Sequence, residues 1–191
     1  MQLKRVLITR SKIDSEALAS RVVELGAVPV CVPLVAREYH TDHLSPPDTK
    51  ADWVIFTSRW AIQAIDKAGF KPSDYGKKIG VVGPATAEAV QNLGNSVDLI
   101  PTQATVECLF TEMNLEPHQS VYYPRSALVK DHDIKRITPK RVNLVAPVAY
   151  SNSLPLSAFE ELSAQQPFDY ALICSASAGE RLGTWLHKSH I

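Results

Sequence analysis

The sequence predicts an α/β protein built from parallel sheets in two similar lobes. Three observations predict it. First, short apolar runs alternate with polar turns and helix-period segments along the whole chain, the pattern of strands joined by crossover helices. Second, the stretch Asp52–Ala64, DWVIFTSRWAIQA, recurs as Phe168–Leu182, FDYALICSASAGERL, with Asp52 matching Asp169 and Ser58 matching Ser175, both 117 positions on. Third, VLITR at Val6–Arg10 recurs as VYYPR at Val121–Arg125, 115 positions on, and Pro33 matches Pro147 at an offset of 114. Three stretches in one order at nearly constant spacing, sharing Arg, Pro, Asp and Ser positions, mark two copies of one unit.

Taken in order, Arg5–Arg10 is a first strand and Ser11–Asp14 a turn. Ser15–Leu25 follows as a helix with Leu18, Val22 and Leu25 on one face, stopped by Gly26. Ala27–Leu34 is a second strand whose two prolines cannot donate to a ladder, so it leaves the sheet centre quickly. Arg37–Ala51, with SPPDT in its middle, reads as a polar linker or surface loop. Trp53–Phe56 is apolar without interruption, as suits a strand covered on both faces. Thr57 and Ser58 are N-cap types, placed where that strand gives way to a helix. Lys78–Val82 is another strand, running into Gly83–Ala87 and a helix with Ala87, Val90 and Leu93 on one side, ended by Gly94. Ser96–Ile100 is expected as a strand, Pro101–Thr105 as a turn with Thr102 and Thr105 as caps, and Val106–Met113 as a helix. Val121–Arg125 and Val142–Tyr150 then repeat the first two strands. A counterpart of Ile79 in the second copy would fall beyond Ile191, so that copy is expected to be incomplete at its carboxyl end.

The 191 residues carry 20 basic and 20 acidic side chains, a formal charge of zero. That balance argues against nucleic-acid or anionic-membrane partners, which select basic surfaces. No apolar run approaches a membrane span, and the amino terminus has no signal core, so a cytoplasmic protein is expected. Cys31, Cys108 and Cys174 lie apart in apolar contexts and are expected as buried thiols. Neither they nor His40 and His43 form a metal spacing, so no metal is expected. Trp53 reads as core and Trp60 as a packing residue at a helix start. Asp131-His132-Asp133 reads as a solvated loop, and the basic run Lys130–Arg141 as a solvated face.

Open parallel sheets bind ligands at the carboxyl ends of their strands, where free helix N–H groups favour anions. At those ends stand VLITR, DWVIFTSRWA, IGVVGPATAEAV, VYYPR and DYALICSAS; with LGAVPVCVPL and PVAY, they cover almost the whole chain. In this ordered set the chain resembles the uroporphyrinogen-III synthase family. The resemblance implies two α/β lobes joined by a two-stranded hinge, with lobe one formed from both chain ends. Lobe one would be residues 1–33 plus 155–191, the hinge 34–40 and 145–152, and lobe two 52–144. It implies cyclisation of hydroxymethylbilane, a linear tetrapyrrole with eight carboxylates, to uroporphyrinogen III with inversion of ring D and loss of water. It further implies no cofactor, a small-molecule substrate as partner, and a monomer.

Tyr150 matches the family tyrosine implicated in the reaction. Thr57, Ser58 and Arg59, then Gly83, Ala85 and Thr86, then Ser175, Ala176 and Ser177 match turns that face substrate, and plain N-capping explains the same residues. Arg10 and Arg125 end equivalent strands and are candidate carboxylate clamps, with an ordinary ion pair as the alternative. Two other functions fit the same residues: a non-catalytic tetrapyrrole-binding or regulatory homologue, or a generic two-lobed protein for small anions.

Overall fold

The computed structural model describes residues 3–188. Residues 1–2 and 189–191, the outer ends of the expected lobe one, lie outside the described residues. Strand β1 (Arg5–Ile8) leads to helix α1 (Lys12–Glu24), whose N-cap Ser11 accepts the Asp14 N–H at 3.4 Å. Gly26, at φ +75°, ends that helix in the left-handed region. Leu25 is 72% exposed and does not continue the apolar face of Leu18 and Val22, because it has already become the C-cap. Strand β2 (Val28–Cys31) follows, then β3 (Ala36–Tyr39) and a 3-10 turn at Thr41–His43.

The stretch expected as a polar linker is therefore partly a strand, and it is anchored. Leu44 is fully buried and its carbonyl accepts the hydroxyl of the equally buried Tyr75. Next come β4 (Ala51–Phe56), α2 (Arg59–Lys67), α3 (Pro72–Tyr75), β5 (Gly76–Val81), α4 (Pro84–Asn92) and α5 (Val106–Glu112). The expected strand at Ser96–Ile100 reduces to one bridge between Gly80 and Leu99. The carboxyl part of the chain supplies β6 (Ser120–Tyr122), β7 (Arg125–Ser126), α6 (Asp131–Ile137), β8 (Asn143–Val145) and β9 (Val148–Ser153). It ends with α7 (Ala158–Gln165), β10 (Tyr170–Leu172) and α8 (Ala176–Lys188). Val121–Arg125 is thus two strands in two sheets, divided at Tyr123 and at Pro124, which has no N–H to give a ladder.

Two compact units result: residues up to Arg37 with those from Asn152 onward, and Glu38–Ser151. The sheet β3-β9-β7 carries both passages of the chain from one unit to the other. In the Glu38–Ser151 unit, a parallel sheet runs in the order β5-β4-β6-β8. Alternate residues of β4 serve two cores. Val54 and Phe56 pack with Ile62 and Ile65 of α2 and Val90 of α4, while Trp53 and Ile55 pack with Leu109 and Phe110 of α5. Burial on both faces is why this strand is apolar throughout. Truncating the fully buried Phe56 to alanine would cost about 3–5 kcal/mol.

The other unit repeats the plan with the sheet β10-β1-β2. Leu7 packs with Leu162, Leu182 and Trp185 of α7 and α8, and Val6 and Ile8 pack with Val22 of α1. The duplication extends to register. Trp53 stands opposite Val121 as Tyr170 stands opposite Val6, and Val121 opposite Leu144 as Val6 opposite Pro29. It extends to a latch as well. The Asp52 carboxylate accepts the backbone N–H and hydroxyl of Ser120 at 2.9 and 3.0 Å and pairs with Lys77 at 2.9 Å. Asp169 accepts the Arg5 N–H at 2.8 Å and pairs with Lys4 at 2.6 Å.

One difference separates the copies. Strand β4 is flanked on both sides, whereas β10 has β1 alone as a neighbour among the described residues. Tyr170 is accordingly 60% exposed where its counterpart Trp53 is 7%. The same openness corrects the expectation of buried thiols. Cys31 is exposed on edge strand β2, Cys174 is exposed just beyond β10, and only Cys108, on α5, is half-buried.

The Ser120 backbone N–H, then Lys77 and the Ser120 hydroxyl, hold the Asp52 carboxyl at about 2, below its ordinary 3.8. A depressed carboxyl stabilises the fold above the unfolded value and loses that contribution as pH falls through the folded one. Replacing Asp52 with asparagine is therefore expected to lower stability at pH 7 by about 1–2 kcal/mol. It should also flatten the stability loss between roughly pH 4 and 2. Urea midpoints measured across that range check both.

Candidate functional site

All strands of a parallel sheet end on one side, so the register above decides which residues emerge together. In the Glu38–Ser151 unit these are the residues after β4, β5 and β6. Thr57, half-buried, has its Oγ1 3.2 Å from the Tyr123 hydroxyl. Ser58 caps α2, its hydroxyl accepting the Trp60 N–H at 3.3 Å. Arg59 is exposed and lays its guanidinium 4.5 Å from the Trp60 ring centroid. Gly83 is the N-cap of α4 with Pro84 in the first turn, where a missing N–H costs nothing. Ala85 is exposed, and Thr86 is buried with its N–H donating to the Gly83 carbonyl at 3.0 Å.

Tyr150 lies on β9, 8% exposed, within the core group that contains Phe56, Val81 and Ala87. Its backbone carbonyl accepts the Ala127 N–H at 2.9 Å. Burial pushes the Tyr123 phenol up, and the Tyr150 phenol, acting on it electrostatically, adds to that. Burial also raises the Tyr122 phenol to about 12. The Tyr122 and Tyr123 hydroxyls therefore stay protonated at neutral pH, and that of Tyr123 is a hydrogen-bonding group.

Arg125 is not the open clamp that its place in the sequence suggested. Its guanidinium is 11% exposed and spent within the unit. Nε donates to the Ala146 carbonyl at 3.0 Å, one terminal nitrogen to the Val129 carbonyl, and the other to Asp131 at 2.6 Å. Asp131-His132-Asp133 is correspondingly not a loop but the first turn of α6. There, Asp133 accepts the Lys130 N–H at 3.4 Å. Acidic residues suit that end of a helix dipole.

In the other unit, the ends of β1 and β10 border a pocket of about 130 Å³. Arg10 and Ser175 both line it, with Cys174 between the strand and the helix. Ser175 caps α8, accepting the Ala178 N–H at 3.2 Å, so Ala176 and Ser177 fall in the first helical turn. Arg10 is exposed and has no side-chain hydrogen bond among the described residues.

Two lining residues, Arg37 and Asn152, were missed by sequence reasoning. They come from the passages between units, and no local motif marks them. Two arginines against one carboxylate, Asp14, which accepts the Ser11 hydroxyl at 2.8 Å, make the pocket suited to anions. Arg181 was missed too. It reaches from α8 to the carbonyls of Leu34, Ser153 and Asn152 at 2.6, 2.9 and 3.1 Å, fixing both passages from within this unit. Among the described residues, no cluster of three His, Cys, Asp or Glu side chains is placed to hold a metal ion. No described helix is long and apolar enough to cross a membrane.

Duplicated parallel sheets whose strand ends run into capped helix starts define an α/β protein of the open parallel-sheet class. The chain belongs to the uroporphyrinogen-III synthase family: the family model described as Uroporphyrinogen-III synthase HemD matches residues 16–190. It is 28% identical over 113 residues to a Methanocaldococcus jannaschii protein provisionally described as a uroporphyrinogen-III synthase. That match covers 57% of this chain and 47% of the relative, so the chain spans about half the length of that protein. The fold is similar to the crystal structure of the Helicobacter pylori uroporphyrinogen-III synthetase, with a TM-score of 0.66 and 16% identity over 96% of this chain and 78% of the other. A mutant Thermus thermophilus uroporphyrinogen III synthase gives a TM-score of 0.59 at 16% identity, over 95% and 77% of the two chains.

Replacing Arg181 with methionine is expected to destabilise the protein by about 2–3 kcal/mol, since three carbonyls lose a charged donor. Lysine should restore only part, because one ammonium cannot reproduce the planar fork. Chemical denaturation of the three proteins measures both effects.

Proposed function

We propose that this chain cyclises hydroxymethylbilane to uroporphyrinogen III, with the two units acting as lobes joined by the passages through β3 and β9. One observation carries the proposal. The residues that match the family's substrate-facing turns, 57–59, 83–86 and 175–177, all stand where a strand ends and a helix begins. Such places offer unpaired backbone N–H groups and capping hydroxyls to carboxylates. Arg10 adds charge for the same acetate and propionate groups.

The reaction asks mainly for positioning. The C–O bond of the hydroxymethyl group breaks and the oxygen leaves as water once protonated, giving a cation delocalised over the attached pyrrole. Ring D attacks that cation through its substituted carbon, giving a spiro intermediate. The older bond, between the spiro carbon and the methylene that linked ring D to the chain, then breaks to give a second cation, and that methylene re-bonds to the free α-carbon of ring D, which loses its proton. Tyr150 is assigned the hydrogen bond to the departing hydroxyl, a task for a neutral phenol. The turn donors hold the flexible chain against simple closure, which gives the uninverted isomer. Arg125 serves as a positioning residue, tying β7 to α6.

The same turn donors, which bind carboxylates whatever follows, also fit a second reading, binding of a carboxylated tetrapyrrole without inversion. Freshly made hydroxymethylbilane separates the two. Uroporphyrinogen III above the spontaneous background supports the synthase. Binding with only isomer I formed supports the second reading, and no binding points to a small-anion protein. In an active protein, replacing Tyr150 with phenylalanine is expected to lower turnover at least about tenfold and raise the share of isomer I. Chromatography of the oxidised products reads both, and an unchanged rate and ratio would remove Tyr150 from the mechanism.

A further inference from the structure

We infer that Tyr123 is a positioning residue for substrate carboxylates, acting through Thr57. The inference rests on the tetrapyrrole-carboxylate reading above and names a residue that the family turns do not include. Tyr123 follows β6, and Thr57 follows β4, the neighbouring strand in the sheet. The phenol is 1% exposed, so its hydroxyl must find a partner inside the protein. That partner is Thr57 Oγ1, at 3.2 Å.

The direction of this bond decides what Thr57 can offer. A hydroxyl has one hydrogen and two lone pairs. With Tyr123 donating, one Thr57 lone pair is filled and its hydrogen is left over. Thr57 is only half-buried, so that hydrogen turns outward from the strand end, beside the first N–H groups of α2. A carboxylate accepts hydrogens and offers none, so an outward donor is what an anionic substrate requires. Without the phenol, the Thr57 hydroxyl can rotate its hydrogen inward, and the site loses an oriented donor. Tyr123 itself has little surface to give a ligand. Its ring is held among Trp53, Ile55, Leu109 and Val121, a rigid seat for a group that orients another.

The test is a double-mutant cycle with Tyr123→Phe and Thr57→Val on the full chain, read in KM and kcat for hydroxymethylbilane. Losing one oriented hydrogen bond is expected to raise KM by about 3–10-fold in each single variant, with kcat within about twofold. The double variant should be no worse than either single one, since both remove one device. Thr57→Ser, which keeps the hydroxyl, should recover most of the KM that Thr57→Val loses. KM effects that multiply, or an unchanged KM in Tyr123→Phe, overturn the inference while leaving the synthase reading intact. Should wild type bind without inverting, the same cycle is read on the Kd for uroporphyrin I, an octacarboxylate, and the same outcomes decide it. Wild-type protein that binds neither compound overturns both. If Tyr123→Phe does not fold, fluorotyrosine at position 123 takes its place. As a stronger donor, it should lower KM in the wild-type background and not beside Thr57→Val; no shift, or the same shift in both backgrounds, overturns the inference.

Discussion

The aspartate at the start of each sheet's key strand is the constraint on which the rest depends. A carboxylate with several acceptor positions takes the first backbone N–H of the neighbouring strand, so the two strands can pair in one register only. Asp52 does this to Ser120, and Asp169 does it to Arg5. Fixing the amino ends of parallel strands also fixes their carboxyl ends. A slip of one residue would turn Thr57 and Tyr123 to opposite faces and empty the site of its hydroxyl pair. The latch lies at the far end of the strands from these turns, yet it sets which side chains emerge there.

Much of this was legible in the sequence because the signals were local or repeated. Trp53–Phe56 announced a strand buried on both faces, and Gly26 and Gly94 marked helix ends at positive φ. The recurrence of Asp, Arg and Pro at steady offsets announced the duplication, and the paired registers bear it out at the level of single residues. What was illegible depended on distant partners. Arg37–Ala51 looked like a loop because its burial comes from one leucine and from a tyrosine 31 residues away. Arg181 looked like an ordinary helix residue because its acceptors are carbonyls, which no sequence advertises. Cysteines in apolar runs looked buried, but Cys31 and Cys174 fall at and beyond strands on the edges of a three-stranded sheet.

The two units also differ in how they satisfy the same carboxylate. Asp52 takes its cation from Lys77, on the strand that flanks β4. Asp169 takes it from Lys4, immediately before β1. The second arrangement needs no flanking strand. Among the described residues, the unit containing β10 keeps its register with one side of that strand unpaired, and Tyr170 is left in water.

Duplication also left two arginines in equivalent places, and they have parted company. Arg125 was captured by Asp131 and two carbonyls and became part of the framework. Arg10 shares its pocket with Asp14 but makes no side-chain hydrogen bond among the described residues. A cation that is already neutralised has little attraction left for a second anion, whereas an idle one keeps it all. Two units built on one plan thus need not use the same arginine in the same way. One has turned its arginine into mortar and the other leaves its arginine exposed along a pocket, so a repeated scaffold need not repeat its surface charge.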